Sequence, residues 1–251
     1  MDLWKNKIAV VTGASSGIGA QIALDLANSD VKVIALARRK ERLDELAKNS
    51  NIYPLVCDVS DQKSIEETFS SIQKNFGKIH ILINNAGRVR DGTILDMSKS
   101  NDDFRGTIDV NLTAAVICTR EAFKLMETHE EPGFIININS VLGQMTPQAK
   151  FLPSNVYPAT KHALKNFTET IRLELVAKNL KRIRICNVTP GLVKTEITEA
   201  AGHPKELCEK IYKSSLHLMP SDISAAVLYI LSQPNFINIT ELTIKPTGET
   251  F

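Results

Sequence analysis

Residues 8–26 read IAVVTGASSGIGAQIALDL, a run of mostly apolar, strand-forming residues joined to a helical pattern by a glycine-rich turn. Gly13 allows a tight turn, while Gly17 and Gly19 have no Cβ atoms and let an anion approach the N-terminus of the next helix. The glycines are not spaced as in the commonest glycine-rich fingerprint. The interpretation as an anion-binding turn therefore depends on the position of the turn between a strand and a helix. The residues predicted to form this anion-binding turn are Gly13, Ser15, Ser16, Gly17, Ile18 and Gly19. A turn that serves only packing is the alternative.

The alternation of strand and helix continues along the whole chain. Short runs rich in Val and Ile, typical of buried parallel strands, recur at residues 7–11, 31–36, 52–56, 79–83, 134–138, 183–188 and 242–244. Helical patterns separate them, one of which is predicted to begin after an N-cap at Asp61 and to end at Gly77. Parallel strands require crossover connections, and no Pro/Gly/Ser-rich linker interrupts the pattern. We therefore expect residues 1–251 to form a single α/β, Rossmann-type, doubly wound domain, with an approximately seven-stranded parallel sheet and helices on both faces.

Composition excludes several classes of protein. Of the 251 residues, 43% are hydrophobic, which is enough for a full core. Lysine and arginine exceed aspartate and glutamate by only two and form no extended basic stripe, so a nucleic acid partner is not expected. No stretch reaches transmembrane length, no signal peptide is predicted, and the four cysteines form no C-x-x-C pair, which favours a cytoplasmic protein with reduced thiols. His203, Cys208 and His217 fit no common ligand spacing, so no metal is predicted.

The end of the second predicted strand bears on the choice of nucleotide. A site selective for NAD usually places an acid there, about 20 residues beyond the glycines, to hold the ribose 2′-hydroxyl. This chain has Arg38 and Arg39 instead. Two guanidinium groups favour the 2′-phosphate of NADP(H). The alternative is that both arginines begin a polar helix and face solvent.

Taken together, these motifs resemble the short-chain dehydrogenase/reductase family in its compact form, over nearly the whole chain. The resemblance rests on the glycine-rich turn followed, in order, by residues 57–59 (CDV), 84–87 (NNAG), Asn111, 136–140 (ININS), 157–161 (YPATK) and 190–195 (PGLVKT). Each motif alone is modest, but their order and spacing are specific. The resemblance implies an NADP-dependent enzyme that oxidises a CH–OH group to a carbonyl or reduces the carbonyl back to the alcohol.

The resemblance also implies further cofactor-binding residues. Asp58 and Val59 would border the adenine, and the NNAG turn would line the cofactor through Asn85, Ala86 and Gly87. Residues of the PGLVKT motif would hold the nicotinamide amide and a phosphate, namely Pro190, Gly191, Val193 and Thr195. Two alternatives stay open: the asparagines only satisfy turn backbone, and Pro190-Gly191 only ends a strand.

Tyr157 and Lys161 lie four residues apart in a helical pattern and so should share one helix face. A nearby ammonium should lower the pKa of the phenol, which is ordinarily about 10. In the family that this chain resembles, Tyr157 would exchange the proton of the substrate oxygen and Lys161 would also hold the nicotinamide ribose. Ser140 would hydrogen-bond the same oxygen, and Asn111 would hold a water in a proton relay to Lys161. An ordinary surface Tyr–Lys pair is the alternative, and Pro158 departs from the small polar residue usual in the family.

The expected substrate is a lipophilic small molecule. The interval from Ser140 to Tyr157 is longer than usual in the family, and residues 192–221, which follow a strand end, are predicted to form a substrate lid. Apart from Ser140 and Tyr157, the predicted pocket residues are apolar, namely Met145, Phe151 and Leu192. The C-terminal segment, residues 225–247, resembles farnesol dehydrogenase-like members of the family and their steroid-active relatives. Farnesol or farnesal is therefore the first candidate, and a ketosteroid or general carbonyl substrate is the alternative.

Two other classes of protein would share part of this pattern. A catalytically silent NADP-binding protein would relax the acid–base residues, yet all four are present. A sugar-nucleotide epimerase typically spaces its glycines differently and adds a larger C-terminal region. The family resemblance further implies a homodimer or homotetramer assembled through helices near residues 102–127 and 157–178.

Replacing both Arg38 and Arg39 with alanine is expected to weaken NADPH binding far more than NADH binding, because only NADPH carries the 2′-phosphate. Fluorescence titration of the wild type and the double variant with each cofactor measures the two dissociation constants. Equal losses for both cofactors would contradict the assignment.

Overall fold

The computed structural model describes residues 1–148, 154–203, 205–214 and 216–249. Its seven strands are β1 Ile8–Thr12, β2 Lys32–Ala37, β3 Ile52–Val56, β4 Ile81–Asn84, β5 Gly133–Ile138, β6 Ile183–Pro190 and β7 Glu241–Ile244. They form one sheet in the order β3-β2-β1-β4-β5-β6-β7, and every neighbouring pair is parallel. The seven predicted strands are confirmed, each within two residues at either end.

Helices cover both faces of this sheet. They are α1 Gly17–Asn28, α2 Lys40–Leu46, α3 Gln62–Phe76, α4 Asn101–Ile108, α5 Ala114–Glu127, α6 Tyr157–Ala177, α7 Ile197–Ala200, α8 Lys205–Ser214 and α9 Pro220–Leu231. A π-helical segment, Asp109–Thr113, joins α4 to α5. The described helices include none that is both long and apolar enough to span a bilayer.

Side-chain alternation along β1 explains the two layers of helices. Val11 belongs to a core that includes Ile22 of α1 and Val227 of α9. Its neighbour Val10 points to the other face and belongs to a core that includes Ile65 of α3 and side chains of α5 and α6. Because both faces of the sheet are buried, strand residues of either parity must be apolar, which is why the strands read as unbroken hydrophobic runs.

Local signals at helix ends act as predicted. The Asp61 carboxylate accepts a hydrogen bond from the Lys63 backbone N–H and caps α3, while Gly77 ends that helix with φ at 78°. Pro158 lies in the first turn of α6. A proline there removes an N–H that has no helical partner, so the departure from the family pattern does not disturb the helix.

The strand order reverses beside β1, which places a crevice there. The chain adds β2 and β3 on one side of β1 and then returns to add β4 on the other side. The loops that follow β1 and β4 therefore leave the sheet in opposite directions. In open α/β sheets, ligands bind in such a crevice at the carboxyl ends of the strands.

The predicted lid is tied at its base. Within residues 192–221 lie α7, α8 and the start of α9. Its two ends pair as short strands, because the Leu218 N–H donates to the Leu192 carbonyl and the Lys194 N–H donates to the Leu218 carbonyl. The Tyr212 hydroxyl lies 3.0 Å from the Thr198 hydroxyl, which joins α8 to α7. These contacts hold the two short helices above the carboxyl end of β6.

Three buried asparagines cross the sheet behind the crevice. Asn84, Asn137 and Asn187 are register partners on β4, β5 and β6. The side-chain amide of Asn84 donates to the side-chain oxygen of Asn137 at 2.8 Å, and the side-chain amide of Asn137 donates to the Thr168 hydroxyl at 2.8 Å. Thr168 in turn lies 3.0 Å from the Asn187 oxygen. This chain of bonds lies inside an apolar core, so losing one member leaves its partners unsatisfied.

Replacing Asn137 with alanine is expected to lower the free energy of unfolding by about 2–4 kcal/mol, since Asn84 and Thr168 both lose a buried partner. Urea unfolding followed by circular dichroism measures the change. The exposed Asn75 on α3 provides a matched control, whose alanine variant should change stability by less than about 0.5 kcal/mol. Similar losses in the two variants would mean that the buried network contributes little.

Candidate active site

The glycine-rich turn and the NNAG turn pack directly against each other. Gly13 has φ at +66°, and a Cβ atom on it would lie 2.9 Å from the Cα of Ala86. A Cβ atom on Gly19 would lie 2.3 Å from the Asn85 amide nitrogen and 2.5 Å from the Gly13 carbonyl oxygen. Only glycine fits at both positions. Glycine at these two positions therefore allows the carboxyl ends of β1 and β4 to come into contact.

Hydrogen bonds hold the two turns in register. The Thr12 hydroxyl accepts the backbone N–H groups of Asn85 and Ala86, both at 3.0 Å. The Asn85 side chain donates to the Thr12 carbonyl at 2.9 Å. Asn85 therefore satisfies turn backbone, whereas the Asn84 side chain donates to the side chain of Asn137. A role of this turn in holding a cofactor stays a prediction.

The N-terminus of α1 is free to hold an anion. Ser16 is its N-cap, yet no side chain caps the helix, and its first turn carries no acidic residue. Unpaired backbone N–H groups and the positive end of the helix dipole therefore point to the crevice.

Arg39 lies over the glycine-rich turn. Its guanidinium donates to the Ser15 hydroxyl through Nε at 3.1 Å and to the Ser16 hydroxyl through Nη2 at 2.8 Å. A third bond runs from Nη1 to the Glu196 carboxylate at 2.9 Å. Arg39 is thus bonded at the predicted nucleotide site, although Arg38 and Arg39 are both exposed and Arg39 is the N-cap of α2. The role of the two arginines in the choice of nucleotide stays a prediction.

The Ser140 hydroxyl lies beside the Tyr157 hydroxyl, where it favours the deprotonated form of the phenol. Ser140 follows β5 and caps the short 3₁₀ turn Val141–Gly143, accepting the Leu142 N–H at 3.1 Å. Tyr157 is the first residue of α6. The end of a central strand and the start of a buried helix therefore fix the two hydroxyls.

Lys161 lies one helical turn below Tyr157. Its ammonium nitrogen is 5.7 Å from the centre of the Tyr157 ring and donates to the Ile138 carbonyl at 2.9 Å. Both side chains are less than a tenth exposed, so this is not a surface pair. Tyr157, Lys161 and Ser140 come together at the carboxyl end of β5, as the sequence predicts.

The direction of the Tyr157 shift differs from the sequence-based expectation. Burial raises the pKa of Tyr157 to about 12, an effect that the hydrogen bond from Ser140 partly offsets. Burial also lowers the pKa of Lys161 to about 8. The expected lowering of the phenol by the lysine was wrong for this structure, because desolvation outweighs the attraction. At neutral pH the phenol therefore keeps its proton.

Asn111 links the NNAG loop to the start of α6. It lies in the π-helical segment, where its side-chain oxygen accepts the Arg88 N–H at 2.7 Å. Its amide donates to the Arg88 carbonyl at 2.8 Å and to the Thr160 hydroxyl at 3.0 Å. These contacts make Asn111 a positioning residue for the loop and for α6. Its predicted role in a water relay stays a prediction.

An apolar cluster borders the Tyr157 side chain. It consists of Val141 and Leu142 with the partly buried Val89 and Met145. Met145 therefore packs beside Tyr157, and its predicted place in a substrate pocket stays a prediction. Phe151 lies outside the described residues. Leu192 lies at the lid base, where its N–H donates to the Glu249 carboxylate at 2.8 Å.

The remaining predicted residues border the same edge of the sheet. Thr195 of the PGLVKT motif contacts the glycine-rich turn, since a Cβ atom on Gly17 would lie 3.1 Å from its methyl group. Pro190 is the last residue of β6, and Gly191 and Val193 follow it into the lid. Asp58 follows β3, where its carboxylate accepts the Ser60 N–H at 3.0 Å. Val59, Ala86 and Asn111 line a common small cleft beside Thr12.

Sequence reasoning missed Thr160 and Glu196. Thr160 belongs to the YPATK motif, and its place on the same helix as Lys161 could have suggested a buried partner for Asn111. Glu196 directly follows the PGLVKT motif but lies 157 positions from Arg39. No periodic signal connects residues that far apart, so the pairing could not be read from the sequence.

A group of potential metal ligands lies at the opposite end of the sheet. Ligand atoms of His80, His129 and Glu131 lie within 4.8 Å of one another, the single such group among the described residues. His80 already accepts the Ile8 N–H at 3.1 Å and lies 3.1 Å from Glu131, while Glu131 is also paired with Lys7 and Lys78. Two ammonium groups beside the carboxylate disfavour a cation. The cluster ties together the amino ends of β1, β4 and β5.

Comparison with known proteins agrees with this geometry. The family model described as short chain dehydrogenase matches residues 7–206. Farnesol dehydrogenase of Aedes aegypti is 41% identical over 258 residues, covering 100% of both chains. Human dehydrogenase/reductase SDR family member 11 is 36% identical over 262 residues, covering 99% of this chain and 97% of that protein.

Two solved structures are similar throughout. The closed form of serine dehydrogenase complexed with NADP⁺ has a TM-score of 0.86 at 32% identity, covering 97% of this chain and 96% of its own. The alcohol dehydrogenase of the archaeon Thermococcus sibiricus, complexed with 5-hydroxy-NADP, has a TM-score of 0.79 at 26% identity, with 95% of each chain covered.

Burial of Lys161 predicts a pH dependence of stability. The unfolded chain holds this proton up to a pKa near 10.4, whereas the folded chain releases it near pH 8. Between these values the unfolded state binds more protons, so rising pH favours the folded state. Compared with Lys161→Met, the wild type should gain roughly 1–3 kcal/mol of unfolding free energy between pH 7 and pH 9.5.

Urea unfolding of both proteins at the two pH values measures this gain. Lys74→Met, at an exposed position on α3, is the matched control and should show no such gain. A wild type that gains nothing, or loses stability, relative to Lys161→Met would show that the lysine is not held in a desolvated site.

Proposed function

The chain belongs to the short chain dehydrogenase family, and we propose that it is an NADP-dependent oxidoreductase acting on a hydrophobic alcohol or carbonyl compound. The observation that carries this proposal is that Tyr157 is buried beside Ser140, with Lys161 buried one helical turn below it. The pair lies at the same edge of the sheet as a glycine-rich turn and an open helix N-terminus. A proton donor and a dinucleotide cradle at one edge are what carbonyl reduction requires.

The residues at the crevice fit a nicotinamide dinucleotide. The side-chain-free surface at Gly13, Gly17 and Gly19 and the N-terminus of α1 would hold the pyrophosphate. The Ser15 and Ser16 hydroxyls with Arg39 would hold the 2′-phosphate. The other cofactor contacts would come from Arg38, Asp58, Val59, Asn85, Ala86, Gly87, Pro190, Gly191, Val193 and Thr195.

In this proposal Tyr157 supplies the proton and Ser140 orients the substrate oxygen. The bound nicotinamide supplies or accepts the hydride. Because burial raises the pKa of Tyr157 to about 12, its hydroxyl is protonated at neutral pH and suited to donate to a carbonyl oxygen that gains negative charge. Alcohol oxidation needs the same oxygen as a base and should therefore be favoured by alkaline pH. Below about pH 8, where Lys161 keeps its proton, its positive charge below the ring would also favour the deprotonated phenol.

An apolar pocket is the reason for proposing a lipophilic substrate. Val89, Leu142 and Met145 belong to the same apolar cluster as Tyr157. Such a wall suits an isoprenoid or steroid skeleton better than a sugar. Farnesol or farnesal is the first candidate, since the 41% identical Aedes aegypti protein is a farnesol dehydrogenase. A ketosteroid or general carbonyl compound is the alternative within the same reaction class.

The proposal includes a homodimer or homotetramer in the cytoplasm. Leu173 and Val176 of α6 are 52% and 65% exposed, and in a monomer they would leave an apolar strip in water.

All four cysteines lie in the described part of the chain, buried and without a disulfide, as a reducing compartment favours.

Tyr157→Phe removes the proton donor and keeps the ring. Turnover should fall by about 10²–10⁴-fold, while the dissociation constant for NADPH changes by less than about threefold. The assay follows NADPH absorbance with farnesal, ketosteroids and diketones, and NADP⁺ reduction with farnesol and other allylic alcohols. Tyr53→Phe, on β3 far from the site, is the control that should keep full activity.

Two outcomes would count against the proposal. A Tyr157→Phe variant that turns over as fast as wild type would exclude Tyr157 as the proton donor. Tight NADPH binding without turnover of any tested compound by the wild type would exclude the proposed substrate classes and favour a binding role.

A further inference from the structure

We propose that Glu196 is an internal anion that competes with the cofactor 2′-phosphate for Arg39 and thereby sets how strongly this chain prefers NADP(H) to NAD(H). The inference rests on the proposed NADP dependence and goes beyond it. It assigns a specificity-determining role to a residue of the lid.

Glu196 already occupies the donors that a phosphate would need. Its carboxylate accepts from Nη1 of Arg39 at 2.9 Å and lies 3.4 Å from Nη1 of Arg42. The Nε and Nη2 donors of Arg39 are bonded to the Ser15 and Ser16 hydroxyls, which leaves one Nη1 donor for a further acceptor. The guanidinium therefore has its partners in place and must exchange at least one of them to bind a phosphate bidentately.

The position of Glu196 places its charge at the phosphate site itself. It follows Thr195, whose methyl group contacts the glycine-rich turn at Gly17. The Arg39 guanidinium, with smaller contributions from Arg42 and Ser16, holds the pKa of this carboxyl below its usual range. The carboxylate is thus charged at neutral pH. It belongs to the residue directly after Thr195, which contacts the first residue of α1.

Electrostatics then gives the sign of the effect. A phosphate bound between Arg39 and the two serines would meet a carboxylate within a few ångströms, and like charges at that distance repel. NADH has a hydroxyl at the same position and meets no such repulsion. Neutralising Glu196 should therefore tighten NADPH and leave NADH nearly unchanged, increasing the preference for NADP(H).

A purely structural role for Glu196 predicts a different result. If the Glu196–Arg39 pair mainly fixed the lid base, its loss would loosen the site and weaken both cofactors. Glu199 offers a matched control, because it lies three residues further along the same short helix and is exposed. Its replacement removes the same charge from the lid without touching Arg39.

The experiment is a binding titration of the full chain at low ionic strength. NADPH and NADH are titrated by fluorescence, and adenosine 2′,5′-bisphosphate and AMP by calorimetry, because these two probes lack the nicotinamide. Glu196→Gln should lower the dissociation constants of NADPH and the bisphosphate by about three- to tenfold, and those of NADH and AMP by less than about 1.5-fold. Glu199→Gln should leave all four within about 1.5-fold of wild type.

A second variant tests the competition directly. In an Arg39→Ala background, the gain from Glu196→Gln should be smaller than in the wild type, since the donors for which the two anions compete are gone. A Glu196→Gln variant that binds NADPH no more tightly than wild type, or that tightens NADPH and NADH equally, overturns the inference.

The titration also separates this inference from the proposed function. If Arg38→Ala/Arg39→Ala weakens NADPH selectively but Glu196→Gln has no effect, only the role of Glu196 is wrong. If the double arginine variant weakens NADPH and NADH equally, the NADP preference itself is wrong.

Discussion

The carboxyl ends of β1 and β4 approach each other so closely that neither Gly13 nor Gly19 has room for a side chain. This contact lies at the reversal of strand order, where the loops diverge and open the crevice. Thr12 fixes it through two backbone N–H groups of the NNAG turn. The anion cradle, the guanidinium above it and the hydroxyl pair beside it all take their positions from these two strand ends. A side chain at either glycine would separate them.

Burial at this edge of the sheet determines the protonation states of the site's titratable side chains. The asparagines of β4, β5 and β6 carry a hydrogen-bonded chain through the core and hold the strand ends in register. In front of them, Tyr157 and Lys161 are desolvated, and their pKa values move to about 12 and about 8. Both shifts favour the uncharged forms. Burial of Lys161 therefore lowers the stability of the fold at neutral pH, and desolvated titratable groups of this kind are common at active sites.

The parts of this structure that periodicity and local chemistry determine could be predicted from the sequence. All seven strands follow from their apolar runs, and the ends of α3 follow from Asp61 and Gly77. The glycine spacing, read in its strand–turn–helix context, located the crevice. The YPATK and ININS motifs located the three residues that meet at the end of β5.

Long-range pairing and solvation could not be predicted in the same way. The bond between Arg39 and Glu196 joins residues 157 positions apart, and the contacts of Asn111 with Arg88 and Thr160 depend on how a loop meets α6. The direction of the Tyr157 shift was wrong because an i,i+4 lysine is visible in a sequence whereas the depth of burial is not. Desolvation is a property of the whole fold, and here it outweighs the neighbouring charge.

The proposed function requires this edge of the sheet to bring a nicotinamide and a lipophilic carbonyl together for direct hydride transfer. In an isotope-tracing experiment, the protein is incubated with farnesal, ketosteroids and diketones in the presence of NADPH deuterated at both C4 positions, and the products are analysed by mass spectrometry. We expect an alcohol that carries one deuterium on the former carbonyl carbon. An alcohol formed without deuterium, or no alcohol from any of these compounds, would rule out direct hydride transfer to these substrates.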